Sequence, residues 1–135
     1  MTVRRWGIAV RALLRDRRGR FLILQRTANS GWAPGAWEIP GGKLDAGETP
    51  DEGLRRELEE ETGLTVTLDG FEGALPFEMP KVHVVTLVFR ARVKSGRFRL
   101  SDEHDAFRWV SRSEMARADL SPQVAPFVQT FIRKS

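Results

Sequence analysis

The stretch Gly41-Gly42-Lys43-Leu44-Asp45-Ala46-Gly47-Glu48, followed by Arg56-Glu57-Leu58-Glu59-Glu60-Glu61-Thr62-Gly63-Leu64, decides how the whole chain is read. Its second half carries its own helix signals. Thr49 can cap the start, Pro50 suits the first helical position and Glu52 completes a capping box. Gly63 supplies a left-handed stop after Thr62. At about 100° per residue, Leu54 and Leu58 share one side of this helix. Glu57, Glu60 and Glu61 lie beside them, related by i, i+3 and i+4 spacings. Glu52, Arg55 and Glu59 fall on the solvated side.

Three carboxylates on one face repel one another, and they crowd the helix end where the dipole favours cations. A hard divalent cation, Mg²⁺ or Mn²⁺, resolves that conflict because it takes oxygen ligands and bridges to phosphates. A solvated acidic face neutralised by nearby arginines is the alternative reading of the same pattern. Pro40-Gly41-Gly42 places flexible backbone next to the helix. Glycine there permits close approach of a ligand, or simply a turn.

Outward from this centre, Val3 to Arg15 alternates as a strand and Asp16 to Gly19 reads as a turn. Arg20 to Arg26 continues as the second strand of a hairpin, and Thr27 to Gly35 is a loop. After the helix come short strands at Leu64–Leu68 and Gly70–Leu75. The apolar run Val82 to Val93 suggests a strand buried on both faces, ended by a turn at Ser95-Gly96. Phe107 to Val110 is a short strand, with Trp109 expected in the core. Ser111 opens a second helix by capping logic, and Ser121-Pro122 starts the last one, carrying Val124, Phe127, Val128 and Phe131. His83 is expected as a satisfied core residue and His104 as a polar loop residue. Strands, helix, strands and helices imply an α/β (α+β) domain with a mixed sheet between helices. At 135 residues, 41% hydrophobic and 30% charged, the chain fits one domain over residues 1–135.

The chain has no Cys, which excludes disulfides, thiolate catalysis and Cys-type zinc sites. No segment approaches the roughly 18 apolar residues of a membrane span, and the N-terminus lacks the apolar core of a signal peptide. A cytoplasmic protein is the simplest expectation. Charge is segregated along the chain: residues 1–26 are net +7, residues 38–80 net −9 and residues 81–135 net +6. Basic flanks suggest an anionic partner such as phosphates. No aromatic–basic stripe is legible in the sequence, so nucleic acid is not the expected partner. Either a monomer or a homodimer is compatible with these features.

Gly42, five residues, Glu48, seven residues, Arg56-Glu57-Leu58, one residue, Glu60-Glu61, one residue, Gly63-Leu64 resembles the Nudix box in every fixed position. Trp37–Gly41 and Phe107–Val110 also look Nudix-like. The resemblance implies an α/β/α sandwich with a curved mixed β-sheet, and hydrolysis of a nucleoside diphosphate linked to a further group. It implies that Glu57, Glu60 and Glu61 bind metal and act in catalysis. It also implies that the Gly42 carbonyl ligates the metal, and that Glu48 and Arg56 brace the loop against the helix. Lys43 and Arg26 lie where family members contact phosphates. The general base is Glu57 or an acid of the later loop, where Glu103 is the candidate and Asp105 its competitor. Trp32, Trp37, Phe77 and Phe107 are candidate stacking partners for a base, Trp32 and Phe77 foremost.

The chain length resembles the compact MutT-like hydrolases that cleave nucleoside (deoxy)triphosphates to monophosphate and pyrophosphate. Pro80, 16 residues past Leu64, resembles a marker of ADP-ribose hydrolases. An ADP-ribose or other nucleoside diphosphate-sugar pyrophosphatase is therefore the alternative. A non-enzymatic nucleotide-binding module is the further one, and the intact acids argue against it.

Overall fold

The computed structural model describes residues 5–134. The elements run β1 (Arg5–Arg15), β2 (Phe21–Arg26), β3 (Trp37–Glu38), β4 (Gly41–Lys43), α1 (Pro50–Thr62), β5 (Leu64–Met79), β6 (Val82–Gly96), β7 (His104–Val110), α2 (Arg112–Arg117) and α3 (Ala125–Arg133). Val3 and Arg4 of the expected first strand lie outside the described residues.

One mixed sheet holds all seven strands, in the order β3-β2-β1-β6-β5, with β4 also on β1 and β7 also on β2. The β1–β6 pairing is parallel and the others are antiparallel. β1 and β2 meet only at Arg15↔Phe21, beside their turn, and then splay apart. β4 fills the vacated edge of β1 at Ala9, Val10 and Arg11. This splay brings the glycine segment to the start of the sheet, which is called the site end below.

α1 forms as its sequence dictates. Thr49 and Glu52 make the reciprocal capping box, and Gly63 closes the helix at φ 72°. Its apolar side, Leu54 and Leu58, is fully buried with Val10, Leu14, Leu22 and Leu24. Each such leucine contributes about 1.5–3 kcal/mol by burial. On the other face, α2 and α3 cover Leu13, Ile23, Val88 and Val110 with Met115, Val128 and Phe131. Helices on both faces of a mixed sheet are the expected layering. Among the described residues no helix is long and apolar enough to cross a membrane.

Several local expectations are corrected. The two short strands after the helix are one 16-residue strand, β5. Register shifts at Thr65/Val66, Leu68/Gly70 and Phe71/Gly73 break its alternation, and that makes it read as fragments. Ser95 and Gly96 belong to β6 rather than to a turn. β6 is fully buried only at Thr86, Val88 and Ala91, because its early residues extend beyond the covering helices. His83 lies in that extension and is not a core residue: its ring stacks on Trp6 at 4.6 Å and its Nδ1 lies 2.6 Å from Glu78 Oε1. Trp109 packs only partly buried against the first core. The last helix begins at Ala125, after Ser121 accepts turn hydrogen bonds from Val124 and Ala125.

Candidate active site

The glycine segment is a strand edge rather than a flexible loop. Gly41 has φ 146°, and a Cβ there would collide with the Val10 carbonyl and the backbone of Arg11. Its N–H donates to Glu61 Oε1 at 2.8 Å. A Cβ on Gly42 would stand 2.6 Å from Glu57 Oε2. Hydrogen at Gly41 lets β4 lie against β1, and hydrogen at Gly42 lets the Glu57 carboxylate lie directly on the β4 backbone.

The three helix acids are not equivalent. Glu61 is buried at 4% side-chain exposure, Glu57 is at 15% and Glu60 is at 60%. Arg56 gathers the outer part of the cluster. Its Nε donates to Glu48 Oε2 at 2.7 Å and its second guanidinium edge to Glu48 Oε1 at 2.9 Å. It also reaches Glu57 at 3.1 Å, Glu60 at 3.3 Å and the Lys43 carbonyl at 3.3 Å. The Arg56 hydrogen bonds push the Glu48 carboxyl down to about 2. The pair thus ties the loop from residue 43 to residue 48 to the helix.

Burial drives the inner acids the other way. Glu57 is raised above the ordinary carboxylate range by burial, with Glu60 and Glu103 adding repulsion against the pull of Arg56. Glu61 is pushed up to about 8, chiefly by burial, with Glu38 and Glu57 adding repulsion. Arg11 and the Gly41 N–H oppose that shift only in part.

Behind them lies a further acid that sequence reasoning missed. Glu38 of β3 is buried, and burial alone would raise it. Its hydrogen bond from His104 and the charges of Arg11 and Arg26 outweigh burial and hold it below the usual range. The distances are 2.8 Å to His104 Nε2, 3.2 Å to Arg26 and 3.7 Å to Arg11. His104 is therefore a buried residue at the start of β7, not a loop residue. Its Nδ1 makes no hydrogen bond and lies 3.9 Å from Glu61 Oε2. The one legible signal of this network was Arg11, a charge inside an apolar alternation.

Two hollows open on this assembly. A polar one of 370 Å³ is lined by Arg26, Thr27, Ser30, Glu38, Glu103 and His104. Glu103 is exposed there, while Asp105 is taken up by the Ala28 N–H. A larger cleft of 580 Å³ runs from Gly42 and Lys43 past Trp6 and Ile8 to Arg11 and Gln123. Trp6 and Ile8 are 64% and 44% exposed. Gln123 is pinned: its Nε2 donates to Thr86 Oγ1 at 3.2 Å and its Oε1 accepts from Arg11 at 3.4 Å.

The other sequence candidates sit less directly on the cleft. Arg26 spends its donors on Trp32 O, Ser30 Oγ and Glu38, with its guanidinium 5.1 Å from the Trp32 ring. Trp32 and Phe77 meet edge to face at 5.6 Å, and neither lines the cleft. Trp37 packs into the second core, under Arg108. Phe107 is 45% exposed and leans on Phe98.

The donor set fits a hard divalent ion. Glu57 and Glu61 offer carboxylate oxygens whose proton affinities are raised chiefly by burial, with Gly42 against Glu57 and the Gly41 N–H on Glu61. One ligand atom each of Glu38, Glu61 and His104 also falls within 4.8 Å of the others. Glu38 there is already matched by two arginines.

Comparison with known proteins adds the decisive observation: the sequence model of the NUDIX domain matches residues 5–131. The chain belongs to the Nudix hydrolase family. A MutT-like protein of Streptomyces ambofaciens is 38% identical over 98 residues, 73% of this chain. The match spans 59% of that relative's length. A CTP pyrophosphohydrolase of Escherichia coli is 30% identical over 125 residues, covering 93% of this Nudix chain and 91% of the relative. The crystal structure of a MutT protein from Methanosarcina mazei superposes with a TM-score of 0.86 at 34% identity, over 99% of this chain and 98% of that one.

Proposed function

We propose that this Nudix hydrolase cleaves a nucleoside (deoxy)triphosphate to the monophosphate and pyrophosphate, with Mg²⁺ or Mn²⁺. The observation that carries the reading is the continuity of the 580 Å³ cleft with the Gly42–Lys43 edge. That geometry lets a base lie against Trp6 and Ile8 while its phosphates reach the acids of α1. The pinned amide of Gln123 offers one free donor and one free acceptor to a base edge.

Glu57, Glu60, Glu61 and the Gly42 carbonyl would hold the ion. When bound, it neutralises charge on the phosphoryl oxygens and lowers the pKa of water. The chain's own residues do the rest. Gly41 and Gly42 fix the two inner carboxylates, and the Arg56–Glu48 pair fixes the loop they face. Lys43 stands at the mouth of the cleft to meet phosphate oxygens. A water oxygen attacks phosphorus, the bridging P–O bond breaks, and pyrophosphate leaves with that oxygen. The proton goes to a carboxylate, Glu57 or the exposed Glu103 at the polar hollow. Burial raises the proton affinity of Glu57.

A second reading, hydrolysis of ADP-ribose, rests on Pro80. Pro80 lies at the β5–β6 turn between Met79 and Lys81, both of which line the cleft. Product analysis with Mg²⁺ across deoxynucleoside triphosphates and ADP-ribose separates the two readings. Phosphate released only after pyrophosphatase treatment is the expected result. Phosphate released only by alkaline phosphatase, from ADP-ribose, would reverse the ranking. Silence across the panel with folded, metal-loaded protein would overturn both.

A further inference from the structure

Much of the basic charge of the sequence flanks has no part in the chemistry above. Folding gives it a place. β1 and β6 run parallel, and β1 ends where Arg15 pairs with Arg92, four residues before the end of β6. The β1–β2 turn of the first basic flank therefore meets the end of β6 from the second. Between them lies a hollow of 380 Å³ rimmed by Arg17, Arg18, Arg20 and Lys94 and floored by Phe98 and Trp109. The six residue steps along β1 from Ala9 to Arg15 put it roughly 20 Å from the β4 edge.

Its charge is not matched by the protein. Asp16 is the one acid lining the hollow, and it is committed to Arg20, at 2.8 Å, and to the N–H groups of Arg18 and Arg20. Among the described residues, no ion pair involves Arg17, Arg18 or Lys94, and all three side chains are exposed. Arg97 and Arg99, also exposed, flank Phe98 in sequence. The ring of Phe98 carries Phe107 at 4.3 Å, and Phe107 is 45% exposed. Strand pairing thus builds the aromatic–basic surface that the linear sequence does not display.

We infer that this far end of the sheet binds single-stranded nucleic acid, with the cations on its backbone and Phe107, midway along β7 opposite Leu24, as a stacking platform at its margin. Basic grooves supply salt-dependent affinity for the phosphates, and exposed rings accept any base. Double-stranded nucleic acid offers no free base faces to Phe107. A polyanion without bases would engage only the arginines and the lysine.

The test is fluorescence anisotropy of a labelled twelve-nucleotide oligodeoxythymidine with the full chain, in EDTA so that no hydrolysis occurs. Binding at about 50 mM salt should weaken with a log–log salt slope of about −2, as three neutralised phosphates require. The triple variant Arg17→Glu, Arg18→Glu, Lys94→Glu should bind at least tenfold more weakly while its nucleotide hydrolysis and thermal melt stay unchanged. Phe107→Ala should weaken the oligonucleotide roughly fivefold and leave inorganic polyphosphate binding untouched. This single exposed change keeps the test decisive if the triple variant fails to fold. Three results would overturn the inference: no binding at low salt, equal binding by the charge variant, or a Phe107→Ala variant indistinguishable from the parent. Mononucleotide hydrolysis is read separately, so failure here leaves the proposed reaction standing, and the reverse holds too.

Discussion

Glu38 and Glu61 are buried acids a few ångströms apart, and they have opposite electrostatic fates. Glu38 sits among Arg11, Arg26 and His104 and is held below the usual carboxylate range despite its burial. Glu61 has one backbone N–H and a share of Arg11, and is pushed up to about 8. Burial is common to both, so the partners make the difference. The first acid is satisfied by the protein and belongs to its framework. The second is kept protonated by burial that its partners do not offset, and a bound cation would favour its ionised form.

The largest expected effect tests the acids raised by burial. Glu57→Gln should lower kcat by about 10²–10⁴-fold with an unchanged circular dichroism spectrum. If Glu103→Gln alone produces that loss, the base is the loop acid instead. On the partnered side, Glu38→Ala leaves buried Arg11 unpaired and should cost about 3–5 kcal/mol in urea unfolding. A cost no larger than that of an exposed substitution would erase the contrast. Leu58→Ala gives the yardstick, about 2–5 kcal/mol of lost packing on the same helix, without touching a carboxylate.

The smallest effect is in pH. Folded Glu61 keeps its proton up to about pH 8, whereas the unfolded chain releases it near its ordinary 4.5. The folded state therefore binds the extra proton, and this group's contribution to stability falls as pH rises through that window. Metal-free protein should melt a few degrees lower at pH 8 than at pH 5.5, and Glu61→Gln should flatten the difference. Glu38, shifted the other way, affects stability only as pH falls below the ordinary carboxylate range. Identical pH slopes for parent and variant would show that the two acids do not differ as described.

What the sequence disclosed and concealed follows from distance along the chain. The α1 caps at Thr49, Glu52 and Gly63 are local chemistry, and the side that carries Leu54 and Leu58 follows from helical period alone. The Gly41–Gly42 contacts were half legible. Two glycines announce close approach, but only the folded chain shows that β1 backbone approaches Gly41 and the Glu57 carboxylate approaches Gly42. The Glu38 network draws on residues 11, 26, 38 and 104, which no window of sequence brings together. β5 was obscured differently, since its bulges interrupt the alternation by which strands are recognised.

The parallel register of β1 and β6 carries a consequence for the order of assembly. Arg5 pairs with Val82 and Arg15 with Arg92, so the central strand waits for residues well past the middle of the chain. Such non-local pairing is slow to form and late in translation. The self-capped α1 helix can therefore exist on a nascent chain well before the sheet that orients its acids. Its carboxylates gain the sheet behind them only after the ribosome has delivered a strand that contributes none of them.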